Sequence, residues 1–239
     1  MIKLLRSLKN RFLSNQAIVQ NVDKIASYIS KYLKNDGAIT FIDIGAHRGD
    51  FFNQILKHYR IKRTVLIEPI PHLANYLTEN FTKDNVVVYN NAISDKDNES
   101  IEFQINEFEE TSSILPFKSQ MSELSNVNTK PARKEKVLMR TLDSIADELN
   151  LESIDLIKID VQGVEHLVIK GGADTLTRTK FIWVELSFKP LYVGSSVFND
   201  IYSLLEEFGF LLLELSPGHR SSNEELLQCD ALFVNTKFR

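Results

Sequence analysis

Cysteine is nearly absent from this chain: Cys229 is the only one in 239 residues. That excludes an internal disulfide framework and a thiolate metal cluster. Its setting, Leu227-Gln228-Cys229-Asp230-Ala231-Leu232, reads as the entry to a strand, where a free cysteine serves as a small buried hydrophobe. Long apolar runs are missing too. The richest, Phe208-Gly209-Phe210-Leu211-Leu212-Leu213, has strand length, far short of the ~20 residues a membrane helix needs. Positive charge is not in excess, since 28 Lys and Arg face 32 Asp and Glu. A net charge of -4 argues against a whole-surface nucleic-acid binder. Internal repeats and low-complexity tracts are absent. Acidic residues are absent before Asp23, and the first thirteen residues are basic and amphipathic, with Leu5, Leu8 and Phe12 on one helical face beside Arg6 and Lys9. They lack an uninterrupted apolar stretch and a small-residue cleavage site, so they do not read as a secretory signal. Two readings stand for this segment. One is a helix packed on the domain or on a partner subunit, in a homo-oligomer. The other is weak docking to an anionic membrane surface without insertion.

What is present suits a soluble globular protein, with 43% hydrophobic and 25% charged residues. The expected compartment is the cytoplasm. The length fits one α/β domain with additions. We expect an N-terminal helical extension over 1–36 and a main domain over 37–239. Strand-like and helix-like segments alternate: strand 39–44, helix 50–59, strand 64–67, helix 71–81, strand 85–89. Such alternation predicts a parallel, doubly wound sheet. The pattern breaks over about 100–140, where strands 100–105 and 136–139 are expected to pair. The loop between them, 106–135, is either a lid over the substrate or a plain insertion. A short helix over 141–149 follows. Alternation then resumes with strand 154–159, a helix over 163–170 closed by Gly171-Gly172, strand 181–186 and a helix over 196–207. An antiparallel pair, 210–215 and 231–235, closes the chain.

The segment Phe41-Ile42-Asp43-Ile44-Gly45-Ala46-His47-Arg48-Gly49-Asp50-Phe51 carries the most chemistry. An apolar strand ends in a glycine-punctuated turn that opens a helix. No Lys-Ser or Lys-Thr follows Gly49, so it is not a Walker-type phosphate loop. The middle glycine of G-x-G-x-x-G is replaced, so the dinucleotide fingerprint is damaged. What remains, D-x-G-x-x-x-G with Glu68 ending the next strand, suits S-adenosylmethionine, which has no phosphates. Asp43 or the Gly45 backbone would meet the amino-acid end, and Ala46 in the same turn is a further cofactor-binding candidate. Glu68, followed by Pro69, would take the ribose hydroxyls. After the third strand, Asn91 is a candidate for the adenine edge, with Ala92 and Ile93 against its face; Asn90-Asn91 is equally a common turn.

A second segment, Leu156-Ile157-Lys158-Ile159-Asp160-Val161-Gln162-Gly163-Val164-Glu165-His166, places Asp160 at a strand end, the ligand-binding edge of open α/β sheets. Glu165 stands close by, either as a proton acceptor or as a charge favouring the helix start. Glu185 ends the following strand. Asp160, Glu165 and Glu185 are the candidate catalytic residues, unranked among themselves. No metal ligands are assigned.

Together these segments, with Ile67-Glu68-Pro69-Ile70-Pro71, Arg140-Thr141-Leu142-Asp143 and Lys170-Gly171-Gly172-Ala173, resemble the FkbM family of S-adenosylmethionine-dependent methyltransferases over roughly 38–235. The resemblance implies the class I Rossmann-like fold: a seven-stranded, mostly parallel sheet with a C-terminal antiparallel strand and an inserted hairpin. It implies O-methylation of hydroxyl groups, often on sugars or polyketides, and hence a small-molecule or glycan acceptor. It also implies that Asp43, Gly45, Gly49 and Glu68 line the cofactor. One departure is Gln162, where the family more often has glutamate.

Overall fold

The computed structural model describes Val22, Asp23, Ala26 and residues 38–118, 130–221 and 223–239. The expected amphipathic helix at residues 1–13, and with it nearly all of the 1–36 extension, lies outside the described residues.

The first half builds β1 (Ala38–Ile44), α1 (Asp50–His58), β2 (Arg60–Ile67), α2 (Pro71–Asn80), β3 (Val86–Tyr89) and β4 (Ala92–Ile93). An excursion follows with β5 (Ser100–Asn106), a single helical turn at Glu109–Thr111, β6 (Pro131–Arg140) and α3 (Leu142–Glu148). The second half contributes β7 (Ile154–Ile159), α4 (Glu165–Lys170), α5 (Ala173–Thr177), β8 (Thr179–Ser187) and α6 (Phe198–Glu207). It closes with β9 (Phe210–Leu215), β10 (His219–Arg220) and β11 (Leu226–Asn235).

The large sheet runs β10-β11-β8-β7-β1-β2-β3. β3, β2, β1, β7 and β8 are parallel, and β11 is antiparallel to β8. Expected was a seven-stranded sheet; the sheet has eight strands across seven positions. One edge of β11 pairs with β8, and β9 and the two-residue β10 share the other edge. The central strands β1 and β7 are buried on both faces, which is why they read as nearly continuous apolar runs. Residues alternate between two cores, as the period of two requires. Ile42, Ile44, Ile157, Ile159 and Val184 pack with α3, α4, α5 and α6. Phe41, Leu156, Phe181, Trp183 and Leu232 pack with Phe51, Phe52 and Ile55 of α1.

The chain winds from β1 toward β3, then returns to place β7 on the other side of β1. Strand order therefore reverses between β1 and β7, and ligands of doubly wound folds bind outside the carboxyl ends of the strands at such a point. The expected hairpin is present, but longer: β6 begins at Pro131 rather than Lys136 and pairs with β5 along its length. It also pairs with β4, giving a second, three-stranded sheet whose core includes Ile70 and Leu73 from the start of α2. The glycine pair closes α4 as expected, with Gly171 as its C-cap, and a separate short helix, α5, starts directly behind it.

Candidate active site

At the switch point a cavity of about 380 Å³ opens at the carboxyl edge of the sheet, within the roughly 300–1,000 Å³ common for small-molecule sites. Its wall on the β1–β2 side is a turn with three left-handed residues, Gly45 (φ 79), His47 (φ 49) and Gly49 (φ 75). Gly45 N and Ala46 N both donate to the Ile67 carbonyl at 3.0 Å, which folds the turn over the end of β2. Gly45 is required by contact as well as by φ: a Cβ there would lie 1.9 Å from the Asp160 carbonyl oxygen. Gly49 is required elsewhere, since a Cβ there would meet the Phe81 ring at 2.6 Å. It is not part of the cavity wall. Gly49 therefore packs against Phe81, and the structure does not bring it to the cavity wall with the other expected cofactor residues.

Glu68 does line the cavity, at only 4% exposure. Its Oε2 accepts the His47 N–H at 2.8 Å and its Oε1 the Ile70 N–H at 2.9 Å. Burial pushes the carboxyl up to about 7, against the pull of those two donors. Pro69, Ala92 and Ile93 add apolar wall beside it. Asn91 also lines the cavity, but its Nδ2 donates to the Leu138 carbonyl at 3.0 Å, so its side-chain oxygen is the group left for a ligand.

Asp43 also stands back from the wall. It has 0% exposure. Neither carboxylate oxygen takes a hydrogen bond among the described residues; Lys158 Nζ stands 3.4 Å from Oδ1. Burial raises the Asp43 carboxyl to about 6, against the pull of Lys158. Lys158 is the link to the cavity, which it lines. It donates to the Gly45 carbonyl at 3.2 Å and to Asp160 Oδ2 at 3.3 Å. Burial opposes the charged amine, but Asp160 and Asp43 outweigh it and hold its pKa above the usual lysine value. A lysine at an inward position of the apolar run 154–159 was the signal for it in the sequence.

At the far end of the cavity stand Asp160 and Glu185, both half-buried, with Asp230 beside them. The structure brings the two expected acids together through Gln162, whose Nε2 donates to Asp160 Oδ1 at 2.8 Å and to Glu185 Oε2 at 3.0 Å. Gln228 Nε2 also donates to Glu185 Oε2, at 3.0 Å. Burial, then the charges of Asp160 and Asp230, hold the Glu185 carboxyl well above the usual range. Asp230 is pushed up to about 7, first by burial and then by Asp160. The sequence reading missed Asp230 because it started the last strand at Ala231. In an antiparallel strand the early residues lie at the carboxyl edge of the parallel neighbours, and Asp230 pairs with Glu185 in register.

Glu165 does not join them. It is buried outside the cavity wall, and its Oε1 accepts the Gly163 N–H at 2.9 Å. Burial raises its carboxyl to about 7. Of its two readings, the one at the helix start fits. α4 consequently begins at Glu165 rather than at Gly163.

The expected lid is partly a fixed strap. Ser113 pairs with Gln104, and Phe117 bridges to Tyr192. Glu109, Glu110 and Ser112 reach the cavity wall. Residues 119–129 of that loop lie outside the described residues.

This architecture agrees with the methyltransferase FkbM domain, whose family model matches residues 43–212. The chain belongs to the FkbM methyltransferase family. This FkbM methyltransferase is 36% identical over 205 residues to the 2-O-methyltransferase NoeI of Sinorhizobium fredii (strain NBRC 101917 / NGR234), covering 82% of this chain and 79% of that protein. Among solved structures, similar ones include the N-methyltransferase NodS from Bradyrhizobium japonicum WM9, with TM-score 0.47, 13% identity, and coverage of 89% of this chain and 95% of that one. Another is a putative S-adenosylmethionine dependent methyltransferase from Listeria monocytogenes, with TM-score 0.47, 8% identity, and coverage of 88% and 97%. The cofactor of this FkbM methyltransferase is S-adenosylmethionine. The cavity fits it: a buried carboxylate beside apolar wall at the end of β2, and a backbone too close for any side chain at Gly45. Among the described residues no helix is long and apolar enough to cross a membrane.

Proposed function

We propose that this protein transfers a methyl group from S-adenosylmethionine to a hydroxyl oxygen of a sugar, with Glu185 as proton acceptor. The observation that carries the assignment is the state of the two acids. Both Asp160 oxygens are engaged, Oδ1 by Gln162 and Oδ2 by Lys158. Both donors to Glu185 reach Oε2, and its Oε1 takes no hydrogen bond among the described residues. Its raised pKa makes it a stronger proton acceptor than an ordinary carboxylate. Asp160 and Asp230 offer further acceptors for the several hydroxyls of a sugar, and Trp183 lends the same wall an aromatic face. The similarity to a 2-O-methyltransferase supports oxygen as the target.

When bound, S-adenosylmethionine would supply a sulfonium methyl open to in-line attack by a hydroxyl oxygen, with the neutral thioether as leaving group. Glu185 would take the proton that the hydroxyl gives up as its oxygen is methylated. The chain's other task is alignment, which accounts for much of the acceleration when two reactants are held together. Glu68, Ala92, Ile93 and the Gly45–Ala46 backbone are the candidates for holding the cofactor; Asp160, Asp230 and Trp183 for holding the acceptor. The cytoplasm, which provides the cofactor, is the setting this reading implies.

Incubation with methyl-labelled cofactor and a panel of nucleotide sugars, glycans, amines and carboxylic acids tests the reading. Label in a base-stable ether is expected. Label only in amines or in base-labile esters would overturn it.

Glu68 gives an independent check on the cofactor half. Hydroxyl groups of a ribose donate to the ionised carboxylate, so binding favours loss of its proton. With the empty-site value about 7, affinity for S-adenosylhomocysteine should be full above pH 7 and weaken below it, by up to about tenfold per pH unit. The Glu68→Ala change should remove about 1.5–3 kcal/mol for each bond lost, roughly 10–100-fold in Kd. Calorimetry across pH 5.5–8.5 reads both. Affinity that is flat with pH and unaffected by the substitution would dismiss this role.

A further inference from the structure

Gln162 occupies the left-handed region, φ 57, in the turn between β7 and α4. Its backbone carbonyl accepts Ser113 Oγ at 2.8 Å. Its Oε1 accepts the Tyr192 hydroxyl at 2.8 Å. Its Nε2 reaches one oxygen each of Asp160 and Glu185. The sense of the amide is the one its neighbours require: turned around, its oxygen would face two carboxylates, and the Tyr192 proton would lose Oε1 as its acceptor.

Tyr192 is 2% exposed and forms no part of the cavity wall. Its ring packs edge-on against Phe117, with centroids 5.3 Å apart at 87°. Its hydroxyl also lies 3.0 Å from the Thr111 carbonyl. Gly163 makes the space, since a Cβ there would come 3.0 Å from Tyr192 Cδ2. A residue outside the cavity wall thus stands between the group that bridges the two acids and the strap at 106–118, with its one hydroxyl proton going to Gln162 Oε1, the shorter of its two contacts.

We propose that Tyr192 and Gln162 are a pair of positioning residues: Tyr192 locks the Gln162 amide, and the amide holds Asp160 and Glu185 so that Glu185 Oε1 is left to take the proton. The pair also ties that arrangement to the strap, through Thr111 and Ser113. The catalytic meaning rests on the methyl-transfer reading above, but the lock itself is testable without an acceptor. An unlocked amide would rotate, and the two acids, with Asp230 close by, would lose the donor they share.

The test is side-chain amide NMR on the full ¹⁵N-labelled chain, with the Gln162 signals assigned by their loss in Gln162→Glu. In the native protein, the Gln162 amide protons should exchange slowly, and their shifts should follow the titration of the neighbouring acids. Tyr192→Phe keeps the ring and its packing. It should speed amide exchange at least tenfold and move the titration midpoint, while S-adenosylhomocysteine affinity stays within twofold. Unchanged exchange and an unchanged midpoint in Tyr192→Phe would overturn the proposal. So would a native Gln162 amide that does not respond to pH, a result that decides the matter even if the variant fails to fold. If S-adenosylhomocysteine does not bind the native protein, the cofactor reading fails instead, and the amide measurements still judge the lock.

Discussion

Glu185→Gln should lower methyl transfer about 10²–10⁴-fold, the usual worth of a positioned general base, with cofactor affinity nearly unchanged. Glutamine has almost the same shape, and its side-chain oxygen can still accept from Gln162 and Gln228, so the wall should keep its form. What disappears is the oxygen able to take a proton. Glu165→Gln is the matched control. Glu165 is also a buried acid with a raised pKa, yet it spends its oxygen on the Gly163 N–H outside the cavity. The neutral amide can still accept there, so turnover should survive. The measurement is single-turnover transfer from labelled cofactor to the acceptor identified by the panel, with calorimetry alongside. Equal turnover of native and Glu185→Gln protein would remove Glu185 from the chemistry and leave Asp160 or Asp230 to be tested.

Gly45→Ala should destabilise the fold by about 3–5 kcal/mol, combining the strain of a side chain at positive φ with overpacking against backbone. The added Cβ would sit 1.9 Å from the Asp160 carbonyl oxygen. No side-chain rotamer relieves such a contact. β1 would have to part from β7, whose Asp160 N–H bonds the Ile44 carbonyl at 3.0 Å. The same edge forms the cavity floor, so cofactor binding should be lost with it. Urea unfolding reads the stability change. A variant as stable as the native chain would show that the β1–β7 edge is looser than its geometry implies.

The sequence was most legible where burial is total and periodicity simple. β1 and β7 read as unbroken apolar runs, and the turn after β1 carried its own glycines. Glu68, Asp160 and Glu185 could be placed because each ends a parallel strand, and parallel strands share one functional edge. The same rule did not predict the burial of Asp43 and Glu165 behind the cavity wall. Proximity to a strand end does not say which way a side chain points. Asp43 turned inward to Lys158, and Glu165 turned back on its own turn. Gly49 showed the other limit: a glycine in a cofactor-type loop was needed to clear Phe81, a residue distant in sequence.

The sequence by itself determined the doubly wound fold, the cofactor edge and the family, because strand periodicity, turn glycines and strand-end acids are local properties of the chain. Only the tertiary structure decided which acids share a cavity. Asp230 arrives from an antiparallel strand, and Lys158 joins a buried Asp43 to an accessible Asp160. Gln162 bridges two carboxylates while Tyr192, thirty residues on, donates to its amide oxygen. Those are long-range contacts, and their partners are chosen by packing rather than by spacing in the sequence.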